Sequence, residues 1–284
     1  MKKTDSNPNE PELNLGGDPG TIVQENKYDA PVDKIWQSLT DPNHLNNWFG
    51  VDNTVTPGPG GTMRHSWGDP VVAESKIQTW EPNSRLKVLE TTPFGSTFQP
   101  PDGPSKPRTI DYQLTPSGNQ TSVKKTWSGF GTTPEWQRFQ SASAGCGAFQ
   151  ASAVGHYAKG HFGEKRTVSW ARMPSNKSFG EMWGQLTGPN GIISDGSLDG
   201  LETGDKYSFK TVTGDLFQGV VVSHIPYKQF AGTVENLNNS LLRIVLDRPG
   251  PNQAGIWLAS WGEQPAANQT FEWRWIHALQ KALM

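Results

Sequence analysis

One short segment occurs twice. Trp36-Gln37-Ser38-Leu39-Thr40-Asp41-Pro42-Asn43 returns as Trp183-Gly184-Gln185-Leu186-Thr187-Gly188-Pro189-Asn190, with Trp, Leu, Thr, Pro and Asn in the same places at a constant offset of 147 positions. Five ungapped matches in eight, tryptophan among them, are hard to credit to chance. A unit recurring at that distance is a duplicated domain, because solenoid units are only roughly 20–50 residues long. The 284 residues suit two domains of ordinary size, about 100–150 residues each. The expected division is a flexible arm over 1–20, a first domain over 21–162 and a second over 163–284.

The order of elements around each copy repeats as well. In the first half, Ile22 to Tyr28 read as a strand running into a short helix, with Pro31 suited to its first turn and Val32, Ile35, Trp36 and Leu39 on one face. Asp41-Pro42-Asn43 stops that helix, and a second short helix is expected to carry Leu45, Trp48 and Phe49. Strands are then predicted over 61–67, 71–80, 85–90, 109–115 and 121–128, with an irregular loop over 91–106 and a hairpin tip at Thr115-Pro116-Ser117-Gly118-Asn119. After Phe130 the period changes to about 3.6, and Trp136, Phe139, Cys146, Phe149, Ala153 and Tyr157 predict a long closing helix. Gly145, Gly147 and Gly155 are poor helix formers, so close approach to the sheet or room for a ligand must explain them. In the second half a first strand near 166–171 precedes a helix with Phe179, Met182, Trp183 and Leu186. Strands over 205–212, 216–224, 229–235, 240–247 and 255–261 follow. A helix over 269–284 with Phe271, Trp275, Leu279 and Leu283 on its inner stripe ends the chain.

Composition narrows the function classes. The 31 glycines and 22 prolines demand many reversals, and 12 Trp with 12 Phe supply bulky buried surface. Lysine and arginine total 25 against 27 acids, with no basic stripe of the kind that neutralises phosphates, so no nucleic acid is expected. No run approaches the roughly 18 apolar residues of a membrane span. A single cysteine, Cys146, and a start without an apolar signal core make the cytoplasm the expected compartment.

The run Ala30-Pro31-Val32-Asp33-Lys34-Ile35-Trp36, then Leu39-Thr40-Asp41-Pro42 and Trp48-Phe49, before a Gly-punctuated meander and a Trp-bearing terminal helix, resembles the START-like (SRPBCC, helix-grip) superfamily. Within it the likeness is to the branch of the activator of the ninety-kilodalton heat-shock chaperone's ATPase. Gly204-Asp205-Lys206-Tyr207, Gly219-Val220-Val221-Val222 and the stretch from Asn236 to Ile244 extend the likeness into the second half. The resemblance implies an α+β fold of two tandem helix-grip domains, each a curved antiparallel sheet wrapped around a long C-terminal helix over an internal cavity. Superfamily members range from lipid carriers to cyclases, so what carries over is architecture and a pocket, with no catalytic residue. Two departures stand out. The first long helix reads Ala144-Gly145-Cys146-Gly147-Ala148 where relatives place Gly-Trp and leucines, which removes bulk over the cavity. The second copy has Pro189-Asn190-Gly191-Ile192 and no counterpart of Trp48-Phe49.

The chemistry-bearing residues fit binding better than catalysis. Of six histidines, His44, His65, His156, His161, His224 and His277, none lies in a metal or triad motif, so no metal and no cofactor is expected. His65 shares the apolar face of its strand with Met63 and Trp67. Among strand charges, Arg108, Asp111, Glu74 and Glu90, an inward one must be paired or touch a polar ligand. Parity puts Glu90 inward with Leu86 and Val88, and Asp111 outward, opposite Ile110 and Tyr112. Trp36 and Trp183 read as core staples. The cavity candidates are Trp48, His65, Trp67, Glu90, Tyr112, Trp127, Trp136, Phe139, Cys146 and Phe149. The expected function is non-catalytic binding of a small hydrophobic or amphipathic ligand. The alternatives are a chaperone-cofactor-like module with a protein partner, and an enzyme of cyclase or hydrolase type using His65 or Glu90.

Overall fold

The computed structural model describes residues 20–68, 72–92, 108–247, 252–262 and 271–284. The expected N-terminal arm, apart from Gly20, and most of the expected loop over 91–106 lie outside them. The described residues form two compact units, one closing at Lys165 and the other starting at Arg166. The first runs β1 (Thr21–Tyr28), α1 (Val32–Thr40), α2 (Pro42–Leu45), β2 (Asp52–Val55), β3 (Thr62–Ser66), β4 (Val72–Glu81), β5 (Arg85–Thr92), β6 (Thr109–Ser117), β7 (Gln120–Ser128) and α3 (Pro134–Gly160). The second runs β8 (Arg166–Ser175), α4 (Phe179–Thr187), β9 (Ile193–Asp195), β10 (Lys206–Thr211), β11 (Leu216–Ile225), β12 (Gln229–Val234), β13 (Ser240–Asp247), β14 (Asn252–Trp261) and α5 (Phe271–Leu283). Each unit has one seven-stranded antiparallel sheet. The orders β1-β7-β6-β5-β4-β3-β2 and β8-β14-β13-β12-β11-β10-β9 are the same topology.

The repeated segment has one structural job in both copies. Helices α1 and α4 are nine residues each and start and stop at the same 147-residue offset. Trp36 and Leu39, like Trp183 and Leu186, are buried under them. The shared threonine bonds back one turn to the tryptophan carbonyl, Thr40 Oγ1 to Trp36 O at 2.7 Å and Thr187 Oγ1 to Trp183 O at 2.9 Å. These hydroxyls satisfy carbonyls that the helix end would otherwise leave open. Beyond that point the copies part. Asp41 accepts from the Asn43 N–H at 2.8 Å and caps α2, and backbone bonds to the Leu45 carbonyl then hold Trp48 and Phe49 at 3.1 and 2.8 Å. With Gly188 in place of Asp41, the second copy turns through Gly191 directly into β9.

The meander matches the expected alternation. Two short strands, β2 and β9, escape sequence reading because three or four residues carry too little period-two pattern. The hairpin from β6 to β7 turns through Gly118 and Asn119, with Gly118 at φ 60° in the left-handed region that glycine enters without penalty.

The long helix α3 corrects the predicted stripe. Its buried line is Trp136, Gln140, Ser143, Ala144, Gly145, Gly147, Ala153, Val154, Tyr157 and Ala158, so that Trp136, Ala153 and Tyr157 are buried as expected, whereas Phe139, Cys146 and Phe149 are only half-buried. Apolar periodicity pointed to large residues throughout, but between Trp136 and Tyr157 the buried face is built mostly from small and polar ones. Gln140 Nε2 donates to Thr21 O at 2.9 Å and Gln24 Nε2 to Ala144 O at 3.2 Å, stitching α3 to β1. A Cβ at Gly147 would lie 2.7 Å from Gln24 Oε1, and one at Gly155 2.6 Å from Tyr28 Cδ1. The glycines are there for close approach of helix to strand. In the second unit α5 meets its sheet with Phe271, Trp275, Leu279 and Leu283, all buried as expected. Trp275 stacks against Phe217 and Phe271 with ring centres 6.1 and 5.4 Å apart.

The Gly155–Tyr28 contact is testable by a double-mutant cycle. Gly155→Ala should gain about 1 kcal/mol of helix propensity yet lower stability by roughly 1 kcal/mol net, because overpacking costs about 1–3 kcal/mol. In a Tyr28→Ala background the same change should become stabilising. Urea unfolding of the four proteins measures the coupling.

Candidate functional site

In the first unit, sheet and α3 enclose a cavity of about 970 Å3 counted with its open mouth, of which about 90 Å3 can be occupied by the centre of a water molecule. That inner space is several times the roughly 10–15 Å3 one water needs. Its walls are apolar: Ile35 and Leu39 from α1, Leu45, Trp48 and Phe49 from α2 and the turn after it, Leu86 and Val88 from β5, and Ala151 and Val154 from α3 are examples. Trp48 is fixed by an Nε1–H bond to Ser38 O at 2.7 Å. Phe49 stands edge-on to both His65 and Trp67 at 4.9 and 5.0 Å. Space exists here because α3 presents Gly147, Gln150 and Ala151 where a bulkier helix face would fill it.

Beside Asn26, Ser75 and Gln150, two polar features of this mostly apolar chamber carry its acid–base chemistry. The first is His65. Asn53 Nδ2 donates to Asn46 Oδ1 at 2.8 Å and to Phe49 O at 2.6 Å, which turns Asn53 Oδ1 toward His65 Nδ1 at 2.7 Å. Because that oxygen can only accept, Nδ1 carries the proton and Nε2 keeps its lone pair. Burial lowers the imidazole pKa to about 4. His65 is therefore a neutral acceptor of defined tautomer on the cavity wall near neutral pH.

The second is a charged cluster on β5 to β7. The Glu90 carboxylate accepts from Trp127 Nε1–H at 3.0 Å and lies 3.0 Å from Arg108 Nε, with cation and anion alike almost wholly inside the protein. The Arg108 N–H groups make no aligned hydrogen bond among the described residues. Its guanidinium instead sits among the rings of Trp127, Phe130 and Phe139, 5.3, 5.4 and 4.9 Å from their centres, an attraction to the ring faces. Burial pushes the Glu90 carboxyl above its ordinary range, against the opposing pull of Arg108, the Trp127 N–H and Lys125. Lys125, itself buried, points its ammonium over Tyr112 and Trp127 at 5.6 and 5.0 Å. Tyr28 also lines the chamber, and burial raises its phenol well beyond the usual range, so it remains a hydroxyl donor.

Six of the ten sequence candidates, Trp48, His65, Trp67, Glu90, Tyr112 and Trp127, come together on this wall. Trp136, Phe139, Cys146 and Phe149 do not. Trp136 and Phe139 pack with Phe130 and Ile22 in a cluster that meets the wall at Trp127, and Cys146 accepts from Gln150 Nε2 at 3.6 Å. Asp111 faces outward in a two-pronged pair with Arg85 at 3.0 and 2.7 Å. Lys125, Tyr28, Asn53, Gln150 and Ala151 were missed. For Lys125 the signal was available, since it shares parity with the apolar Val123 and Trp127 on β7. For Asn53 there was none, because β2 is too short to show a pattern.

Residues 29–149 match the family model described as "Activator of Hsp90 ATPase homolog 1-like protein". The first unit is thus similar to the START-like superfamily in sequence, and both units have its α+β helix-grip architecture. No curated protein matches the chain. Among solved structures, protein MLL2253 from Mesorhizobium loti is 26% identical, covering 48% of this chain and 93% of its own with a TM-score of 0.39. The Aha1 dimer from Colwellia psychrerythraea is 21% identical, covering 49% and 96%, TM-score 0.40. The di-domain ARO/CYC BexL from the BE-7585A biosynthetic pathway is 11% identical, covering 92% and 90%, TM-score 0.43.

Two outcomes follow from the buried polar groups. His65 has a folded pKa of about 4 and an unfolded one near 6.5, so its neutral form stabilises the fold fully above about pH 6.5 and progressively less as pH falls toward 4. Wild type minus His65→Gln stability, from urea curves across that window, should decline on acidification by at most about 3 kcal/mol. Glu90→Gln strands a buried guanidinium and should cost about 3–5 kcal/mol. The same urea unfolding should show most of it regained in Glu90→Gln/Arg108→Met.

Proposed function

We propose, from the premise that the first unit is of the Hsp90-ATPase-activator-homologue type, that the protein binds a small amphipathic molecule in the first-unit cavity and does so without catalysing its conversion. The observation that carries this reading is the chamber itself: walls that are mostly apolar, with His65 and the Glu90–Lys125 cluster as its ionisable groups beside Tyr28 and Tyr112, and with Asn26, Ser75 and Gln150 as its neutral polar ones. Such a lining suits a ligand that is apolar over most of its surface and polar at one or two points. His65 Nε2 would accept from a ligand hydroxyl or amine, while Tyr28 and Tyr112 offer donors. A neutral imidazole with its proton fixed on the Asn53 side orients a ligand well. It has no carboxylate or hydroxyl nucleophile bonded to it, which favours holding over hydrolysis.

Among the described residues no helix is long and apolar enough to cross a membrane, and no group of three or more His, Cys, Asp or Glu side chains is placed to hold a metal ion. The lone thiol of Cys146 fits a reducing compartment, and we place the binding activity in the cytoplasm on that ground. The second unit serves in this reading as a companion fold whose helix-facing space is taken up by its own aromatic side chains, Trp275 foremost.

Uptake of the neutral fluorophore N-phenylnaphthylamine tests the reading. Wild type should bind it with enhanced emission. Ala151→Trp, which fills the chamber from α3, should weaken binding by at least about tenfold while circular dichroism and the unfolding midpoint stay near wild type. Equal binding by both proteins would place the dye elsewhere and overturn the proposal.

A further inference from the structure

The interior of the first unit holds an unbalanced charge. Arg108 and Lys125 are both buried, and the single buried carboxylate near them is Glu90. Glu90 is engaged by Arg108 and by the Trp127 N–H through the same oxygen, Oε2. The Lys125 ammonium lies over the Tyr112 and Trp127 rings and has no carboxylate within ion-pair distance among the described residues. His65 is neutral, so Arg108 behind the wall, with Lys125 and Glu90 on it, leaves one net positive charge in this buried cluster, and protonation of Glu90 would only increase it. Burying a charge without a partner is costly. Lys125 lines the cavity and is the buried cation with access to whatever the cavity holds.

We propose that the molecule bound in this cavity is an anionic amphiphile, an alkyl or aryl carboxylate, whose charged group pairs with Lys125 Nζ while its apolar body lies against α3. This rests on the cavity-binding reading and specifies its ligand class. Three features favour a carboxylate over a cation or a neutral molecule. The ammonium gains the counter-ion it lacks. The Tyr28 and Tyr112 hydroxyls, also on the wall, are donors suited to carboxylate oxygens. A ligand ammonium would instead meet Lys125 with Arg108 close behind the wall.

The experiment compares octanoate with octanol, the same chain with and without the charge, by isothermal titration calorimetry at pH 7.5 on wild type, Lys125→Met and Lys125→Gln. Wild type should bind octanoate at least about tenfold more tightly than octanol, the size expected for one charge-assisted bond. Either variant should lose about tenfold in octanoate affinity, with octanol changed less than about twofold. The ligand-free unfolding midpoint of Lys125→Met should stay level or rise, because an uncompensated buried charge has gone and the methionine keeps the stem against Tyr112 and Trp127. Octanol binding as tight as octanoate in wild type overturns the anion assignment and leaves the cavity reading standing. So does octanoate affinity indifferent to Lys125, and the wild-type comparison decides the matter even if a variant fails to fold. Binding of neither probe overturns both.

Discussion

The architecture of the first unit depends on how closely α3 can approach β1. At Gly147 and Gly155 there is no room for a Cβ beside Gln24 and Tyr28, and the carbonyl of Ala144 and the amide of Gln140 bond across the same seam. The helix is thus held along its small face at the β1 edge. That small face also leaves space toward β4 to β7, so one set of residues both grips the sheet and opens the chamber. The second unit shows the alternative with the same topology. Its helix meets the sheet with Phe271, Trp275 and Leu279, and the aromatic side chains of Phe209, Phe217 and Phe230 pack into one cluster with them. Duplication kept the fold, and the two helices differ in the side-chain volume they bring to their sheets.

Once the chamber exists, its electrostatics follow. A low-dielectric pocket keeps His65 neutral, and the Asn53 clamp determines which nitrogen faces in. Glu90 and Arg108 hold each other inside the same wall, with Trp127 serving as hydrogen-bond donor to one and as a ring face to the other. Such a pair is weak as a source of stability. Its effect is to put a carboxylate beside the Lys125 ammonium on the wall of a mostly apolar space.

Much of this was legible in the sequence, for physical reasons that differ by residue. The duplicated Trp-x-x-Leu-Thr segment gave away two copies because its helix has the same length and the same Thr-to-Trp bond in each. Strand parity placed His65 with the buried Met63 and Glu90 with the buried Leu86 and Val88, since alternate residues of a pleated strand share a face. The long helix misled. Phe139, Cys146 and Phe149 looked like its inner stripe because burial usually selects large apolar side chains, but a helix gripped this tightly turns its small residues inward. Parity put Lys125 on the side of Val123 and Trp127, but Arg108, just before β6, had no local signal to separate a caged cation from a solvated one. Their role emerges only where β5, β6 and β7 bring Glu90, Tyr112 and Trp127 around them.

The central claim is that the first unit holds a mostly apolar chamber between α3 and its sheet, whereas the second fills that space with side chains. Crystallography under xenon pressure tests it directly, because xenon enters apolar cavities and leaves packed cores alone. The account predicts a xenon site in the first unit beside Ala151, Val154 and Trp48, and none beneath Trp275 in the second. An empty first unit, or a xenon site only under Trp275, would contradict it.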